Sequence, residues 1–321
     1  MSLTTRLLPH AVKIDTAGSV SAWINQVETL GPEGGVSLFE ESGGSAVDRE
    51  FVASRQIDPK IPIVTTDLSI LATIGFGGVY VSPASGHPGL MAYWRNQPQG
   101  GLPSAIGSSL HLSCQMSDGL LVPVSARCSH NQAAKLNLMA HAILGATATY
   151  SQATPLSYLS GVAIPSGAGA TSNIYTQGPV KWTVSGGSSQ LLQGISESGV
   201  DFGIGVLREG SDGEVYPTHA SIVSRAAVVE FSTKDAQQIA AIGDGISVSA
   251  FALYFQAVSQ NGQRIAKGTA SHVSITGTAG MITPGQLTAQ HKQAGMARFL
   301  YTPTLNTNLL VIATNATIPT S

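Results

Sequence analysis

The chain repeats itself, and that self-similarity limits its fold more tightly than any composition figure, because both copies must satisfy one architecture. Val12-Lys13 aligns with Val180-Lys181, 168 residues further on. The same ungapped spacing pairs Gly18 with Gly186, Gly31 with Gly199, Gly35 with Gly203, Glu41 with Glu209, Asp67 with Asp235 and Gly75 with Gly243. The register then shifts once. From Tyr93 over Tyr254 the spacing is 161, and it holds through His111/His272, Ser113/Ser274, Gly119/Gly280, Pro123/Pro284 and His130/His291. The first copy therefore carries seven extra residues, placed most simply around Ser82 to Pro88. HLSCQMSDGLLVP over HVSITGTAGMITP is the densest block. The alignment predicts an N-terminal arm over 1–11, a first copy over 12–165, a small, polar linker over 166–179 and a second copy over 180–321.

Within each copy, short alternating apolar runs are separated by Gly, Pro, Asn and Asp, which is a strand-and-turn pattern. Ala220 to Phe231 and Ser247 to Val258 read as strands, and Leu136, Leu138 and Ala140 alternate with Asn137, Met139 and His141. One short helix per copy is expected at Asp67 to Gly75 and at Asp235 to Gly243, each opened by an Asp N-cap and closed by Gly. The fold class read from these patterns is mainly β: two tandem, similar antiparallel β-sandwich or open-barrel domains, each with one short helix.

Only 11% of residues are charged, where an ordinary soluble domain has about 25%. Sixteen Lys+Arg against 18 Asp+Glu leave a net charge of −2, which argues against a protein that grips nucleic acid through clustered cations. No run approaches the ~18 apolar residues of a membrane span. Residues 1–20 hold no apolar signal region, so synthesis in a cytoplasm is expected. Cys114 and Cys128 are too few for a disulfide framework or a cysteine-based zinc site.

Catalytic patterns are missing too. The runs Gly75 to Gly78 and Gly167 to Ala170 lack the context of a phosphate-binding loop, and no GxSxG, HExxH or EF-hand motif occurs. The matched histidines His111, His130, His272 and His291 have no matched third ligand, because Asp118 aligns with Ala279 and Cys114 with Ile275. They are read as structural, as are the helix-capping Asp67 and Asp235. No enzyme activity, metal or cofactor is predicted. Trp23, Trp94 and Trp182 do not fall on equivalent positions, so a duplicated aromatic platform for sugars is not evident.

A duplicated β-domain with few charges and no catalytic constellation fits a chain whose surface is made to meet other subunits, since interface cores are depleted of charge. The segments VDFGIGVLREGSDGEVYPTHASIVSR, FSTKDAQQIAAIGDG and NGQRIAKGTASHVSITGTAGMITP resemble phage virion proteins of the tail-tube type. That resemblance implies β-sandwiches with a flanking helix, six of which form a ring around a DNA channel. A fused pair would need three chains per ring. It further implies a virion location, assembly in a host bacterial cytoplasm, and as partners other copies of the chain, other tail proteins and DNA in transient passage, with no membrane. Glu28, Glu33, Glu40, Glu41, Glu209, Asp212 and Glu214 are then candidate lumen or interface acids. A double-β-domain capsid protein and a carbohydrate-binding β-sandwich module are the alternatives.

Overall fold

The computed structural model describes residues 5–16, 21–34, 36–42, 47–55, 58–83, 87–145, 154–169, 173–192, 194–210, 216–288, 295–304 and 310–320, with backbone alone over 36–55. The protein is mainly antiparallel β with two short helical segments. Among the described residues no helix is long and apolar enough to cross a membrane.

The strands recur in the same order and at the offsets of the sequence repeat, except the last, Val311–Ala316, which lies 154 rather than 161 residues after its counterpart Leu156–Val162. In the first half, a five-stranded sheet runs Leu156–Val162, His111–Met116, Leu90–Pro98, Thr5–Asp15, Ser21–Ile24. The second half repeats this order with Val311–Ala316, His272–Gly277, Ile246–Val258, Ile174–Val184 and Ser189–Leu192. A second series, Val79–Val81, Asp118–Ser129, Lys135–Ile143, Lys60–Thr65, Val27–Leu30, recurs as the start of Ile246–Val258 followed by Gly280–Thr288, Met296–Pro303, Val228–Thr233 and Ile195–Asp201. Each half also extends a hairpin that, among the described residues, pairs only within itself, Val36–Ser42 with Val47–Arg55 and Ile204–Glu209 with His219–Arg225.

Several local expectations are met for the reasons that prompted them. Lys135–Ile143 buries alternate residues, as a strand with one face on a core must. Asp67 and Asp235 cap their helical turns, the Asp67 carboxylate accepting from the Ser69 N–H at 3.0 Å and that of Asp235 from the Gln237 N–H at 3.0 Å. Gly75 and Gly243 close them at φ 65° and 50°, where a Cβ would be strained. The first turn is shorter in α form, a 3₁₀ segment Leu68–Ile70 running into Leu71–Ile74, while the second is one helix, Ala236–Ile242.

Three details differ from the sequence reading. Ala220 to Phe231 is two strands, broken at Ala226-Ala227, where the Ala226 N–H turns away to the Gly203 carbonyl. Residues 5–11 are the first part of the strand Thr5–Asp15, paired with Leu90–Pro98 from Thr5 onward. The strand Ile174–Val184 begins inside the stretch read as a linker. The seven extra residues fall between Val79–Val81 and Leu90–Pro98, and they split what is a single 13-residue strand, Ile246–Val258, in the second half.

The two cores solve one packing problem with different side chains. Trp182, Phe231, Phe251, Phe299 and Tyr301 stack through the second half, while the equivalent Ile14, Ile63, Leu90, Leu138 and Ala140 are aliphatic and equally buried. Tyr301 fits because Gly277 leaves room: a Cβ there would lie 2.0 Å from the Tyr301 Oη. In the first half the bulk comes from the other side, with Met116 at the position of Gly277 and Ala140 at that of Tyr301. The matched glycines Gly119 and Gly280 have one cause, since a Cβ would run into the carbonyl of His141 at 2.2 Å and of the equivalent Thr302 at 2.5 Å.

Candidate assembly interface

The halves are joined edge to edge. The C-terminal part of Asp118–Ser129 pairs antiparallel with Ile195–Asp201, Ser125 opposite Asp201 and Ser129 opposite Glu197. The ladder extends at both ends, where the His130 N–H donates to the Ser196 carbonyl at 2.8 Å and the Phe202 N–H to that of Val124 at 3.0 Å. One sheet thus runs continuously through both halves. Backbone approach is close at Gly199, where a Cβ would meet Arg127 Cγ at 3.0 Å and the Ala126 carbonyl at 3.1 Å. Phe76 and Phe202 pack across the joint with ring centroids 6.0 Å apart. Glu230 forms an ion pair with Arg127 of the other half at 3.7 Å and accepts a hydrogen bond from Arg298 of its own at 2.5 Å. These ion pairs are partly solvated and contribute little; the ladder, Phe76 and Phe202 hold the joint.

Each joined edge has an equivalent edge that pairs with no other strand among the described residues. Val27–Leu30, equivalent to the start of Ile195–Asp201, ends the long sheet. Beyond it the N–H groups of Gly31 and Glu33 turn inward to Pro62 and Lys60, and the Gly34 carbonyl accepts from the Asp58 N–H at 2.9 Å, so position 32 faces outward, as Val200 does. Around Gly31, the counterpart of Gly199, no atom lies within 4 Å of where a Cβ would be. At the opposite end, Gly280–Thr288 pairs with Ile246–Val258 only through Gly280 to Ile282, leaving its remainder paired on one side. Leu287 is 67% exposed there, whereas its counterpart Ala126 is fully buried in the joint.

The open pair is chemically plainer than the closed one. Phe76 and Phe202 correspond to Asp244 and Gly34, and Arg127, Glu230 and Arg298 to Thr288, Pro62 and Asn137. Pro32 stands where Val200 does and brings no N–H to the outward edge. Proline at an edge also discourages indiscriminate pairing.

The matched histidines His111 and His272 do the same structural work. Each Nδ1 accepts a backbone N–H, from Asn96 at 3.1 Å and from Ala257 at 3.0 Å, and each Nε2 bonds a carbonyl, Ala105 at 2.8 Å and Ala266 at 3.0 Å. Both rings are thereby fixed as the Nε2–H tautomer, pinning the loop before their own strand. His130 is exposed and contributes its backbone to the joint, and His291 lies outside the described residues. Among the described residues no three His, Cys, Asp or Glu side chains gather as metal ligands.

The candidate acids are not brought together. Glu28 pairs with Lys135 at 2.7 Å and Glu33 with Lys60 at 3.4 Å, and Glu209 is exposed at the end of its strand. The side chains of Glu40 and Glu41 lie outside the described residues, as do Asp212 and Glu214. Matched Gly31 and Gly199 have opposite surroundings, and only the folded chain reveals that difference. No known protein family and no curated protein sequence matches the chain.

Proposed function

We propose that the chain is a self-assembling structural subunit of the tail-tube type, whose copies join head to tail through the two open sheet edges. The observation that carries this reading is the complementarity of those edges. Thr283–Thr288 and the segment from Val27 to Gly34 are the counterparts of two segments already paired inside the chain, and Gly31 keeps the space that the pairing needs. A contact between unlike edges is heterologous, so it leaves one edge of each kind free on every added copy, and it closes into a ring when the rotation permits. Three chains would give a ring of six similar halves.

The remaining features support the same reading. Sparse charge suits a surface largely covered by neighbours. A conduit through which duplex DNA slides must not bind phosphates strongly, and a net charge of −2 with few clustered cations meets that need. On this reading the chain belongs to a virion tail, its partners being copies of itself, other tail proteins and DNA in passage.

Negative-stain microscopy of the purified protein tests the proposal. Stacked rings with a central channel about as wide as duplex DNA are expected. Icosahedral shells would favour the capsid alternative, and a monomer persisting at high concentration would overturn self-assembly.

A further inference from the structure

The two hairpins are equivalent in sequence position but not in situation. Ile204–Glu209 and His219–Arg225 leave the second half and lie over the first. Arg208 pairs with the Asp58 carboxylate and donates through Nη1 to the Pro59 carbonyl at 3.0 Å, and the Leu144 N–H donates to the Pro217 carbonyl at 2.8 Å. At the hairpin root the Arg225 guanidinium covers Gly77, where a Cβ would lie 2.9 Å from Nη2. The hairpin thus clasps the joint that its own half forms. Val36–Ser42 and Val47–Arg55 occupy the same positions in the first half, 168 residues earlier, and among the described residues they pair with no other strand.

We infer that the hairpin Val36–Arg55 is a clasp for a second copy of this chain, lying over that copy's second half as Ile204–Arg225 lies over the first half. This inference rests on the proposed head-to-tail joint, because the same step that relates the two halves carries the hairpin onto its target. The target is given by the repeat. Asp58 and Pro59 correspond to Ala226 and Ala227, Phe76 and Gly77 to Asp244 and Gly245, and Val124 to Gly285. Ala226 and Gly285 are exposed, as a surface awaiting a partner must be. Continuity with the joint already present inside the chain selects a second copy as the occupant. The contact differs in chemistry from the internal one. Position 208 is Arg and position 40 is Glu, while Asp58 gives way to Ala226, so that ion pair has no counterpart between chains.

The test is site-directed crosslinking. A full-length chain carrying Glu40→Cys and Ala226→Cys is treated with a short bis-maleimide, and a second carrying Arg208→Cys and Asp58→Cys serves as the internal reference. The native Cys114 and Cys128 are buried and stay out of the reaction. The reference pair crosslinks within one chain. The clasp predicts that the Glu40→Cys/Ala226→Cys pair crosslinks between chains, yielding covalent dimers and trimers. Either single variant alone should yield none. If this chain assembles in mass photometry yet gives no interchain product, the clasp is overturned and the head-to-tail reading stands. If the unmodified protein stays monomeric at every concentration, both are overturned. A chain with 38–53 replaced by a short Gly-Ser turn gives an independent readout. It should keep the unfolding midpoint of the dilute monomer and need at least about tenfold more protein to assemble, a loss of about 1.4 kcal/mol per contact. Unchanged assembly would overturn the clasp.

Discussion

Leu287 gives the proposed joint a quantitative test. It is 67% exposed on an open edge, whereas its counterpart Ala126, which lies opposite Val200 across the joint, is fully buried. Burying a whole Leu side chain is worth about 1.5–3 kcal/mol, so removing the roughly two-thirds now exposed forfeits about 1–2 kcal/mol per joint. Leu287→Ala should then raise the protein concentration at half-assembly by about fivefold to thirtyfold. Because the side chain is exposed in the separate chain, its removal should change monomer stability by no more than about 0.5 kcal/mol. Leu287→Asp should be more severe, since it places an unpaired carboxylate in the joint. Leu102, 86% exposed and away from both edges, supplies the control. Mass photometry or sedimentation velocity over a dilution series measures assembly, and thermal unfolding of dilute protein measures the monomer. If Leu287→Ala assembles like the parent, or if Leu102→Ala weakens assembly as much, the joint does not use this edge.

Three further outcomes follow from the packing and the titrating groups. Gly277→Ala should destabilise the fold by about 1–3 kcal/mol through overpacking against the Tyr301 ring, and combining it with Tyr301→Phe should recover part of that loss in denaturant titrations. Burial, assisted by Arg95 and His111 around His10 and by Lys60 beside His141, holds these two imidazoles below their usual 6.5. The unfolded chain therefore takes up these protons first as pH falls, so stability present above pH 6.5 should decline as pH drops towards the folded-state values. His141→Gln should flatten that decline, and an unchanged slope would remove His141 from the account. Burial pushes the Cys114 thiol up to about 12 and the Cys128 thiol to about 11, so neither should react with a maleimide at mildly alkaline pH until the chain unfolds; rapid labelling of the native protein would contradict their burial.

Much of the fold was legible because its causes are local. An Asp followed by an apolar stripe and a Gly marks each helical turn, and alternate burial marks Lys135–Ile143. The repeat added what local patterns lack, since it assigned one strand order to both halves and flagged Gly119 and Gly280. What stayed hidden depends on contacts between distant segments. Nothing near Thr5 announces a partner at Pro98, and the alternation across Ala220 to Phe231 does not disclose a break made by the remote Gly203 carbonyl. Glu28 and Glu33 read as candidate lumen or interface acids, but Lys135 and Lys60 reach them from other strands. The joint was least visible, because Gly31 and Gly199 are the same residue type and only strand pairing separates the empty position from the filled one.

The central claim is that the joint inside the chain is repeated between chains. A cryo-microscopy reconstruction of the assembled protein, at a resolution that traces strands, tests it most directly. The account predicts an antiparallel ladder between Thr283–Thr288 of one copy and the edge from Val27 to Gly34 of the next, with Leu287 opposite Pro32 as Ala126 lies opposite Val200. A reconstruction in which both edges remain solvent-exposed while the copies meet through other surfaces would contradict it.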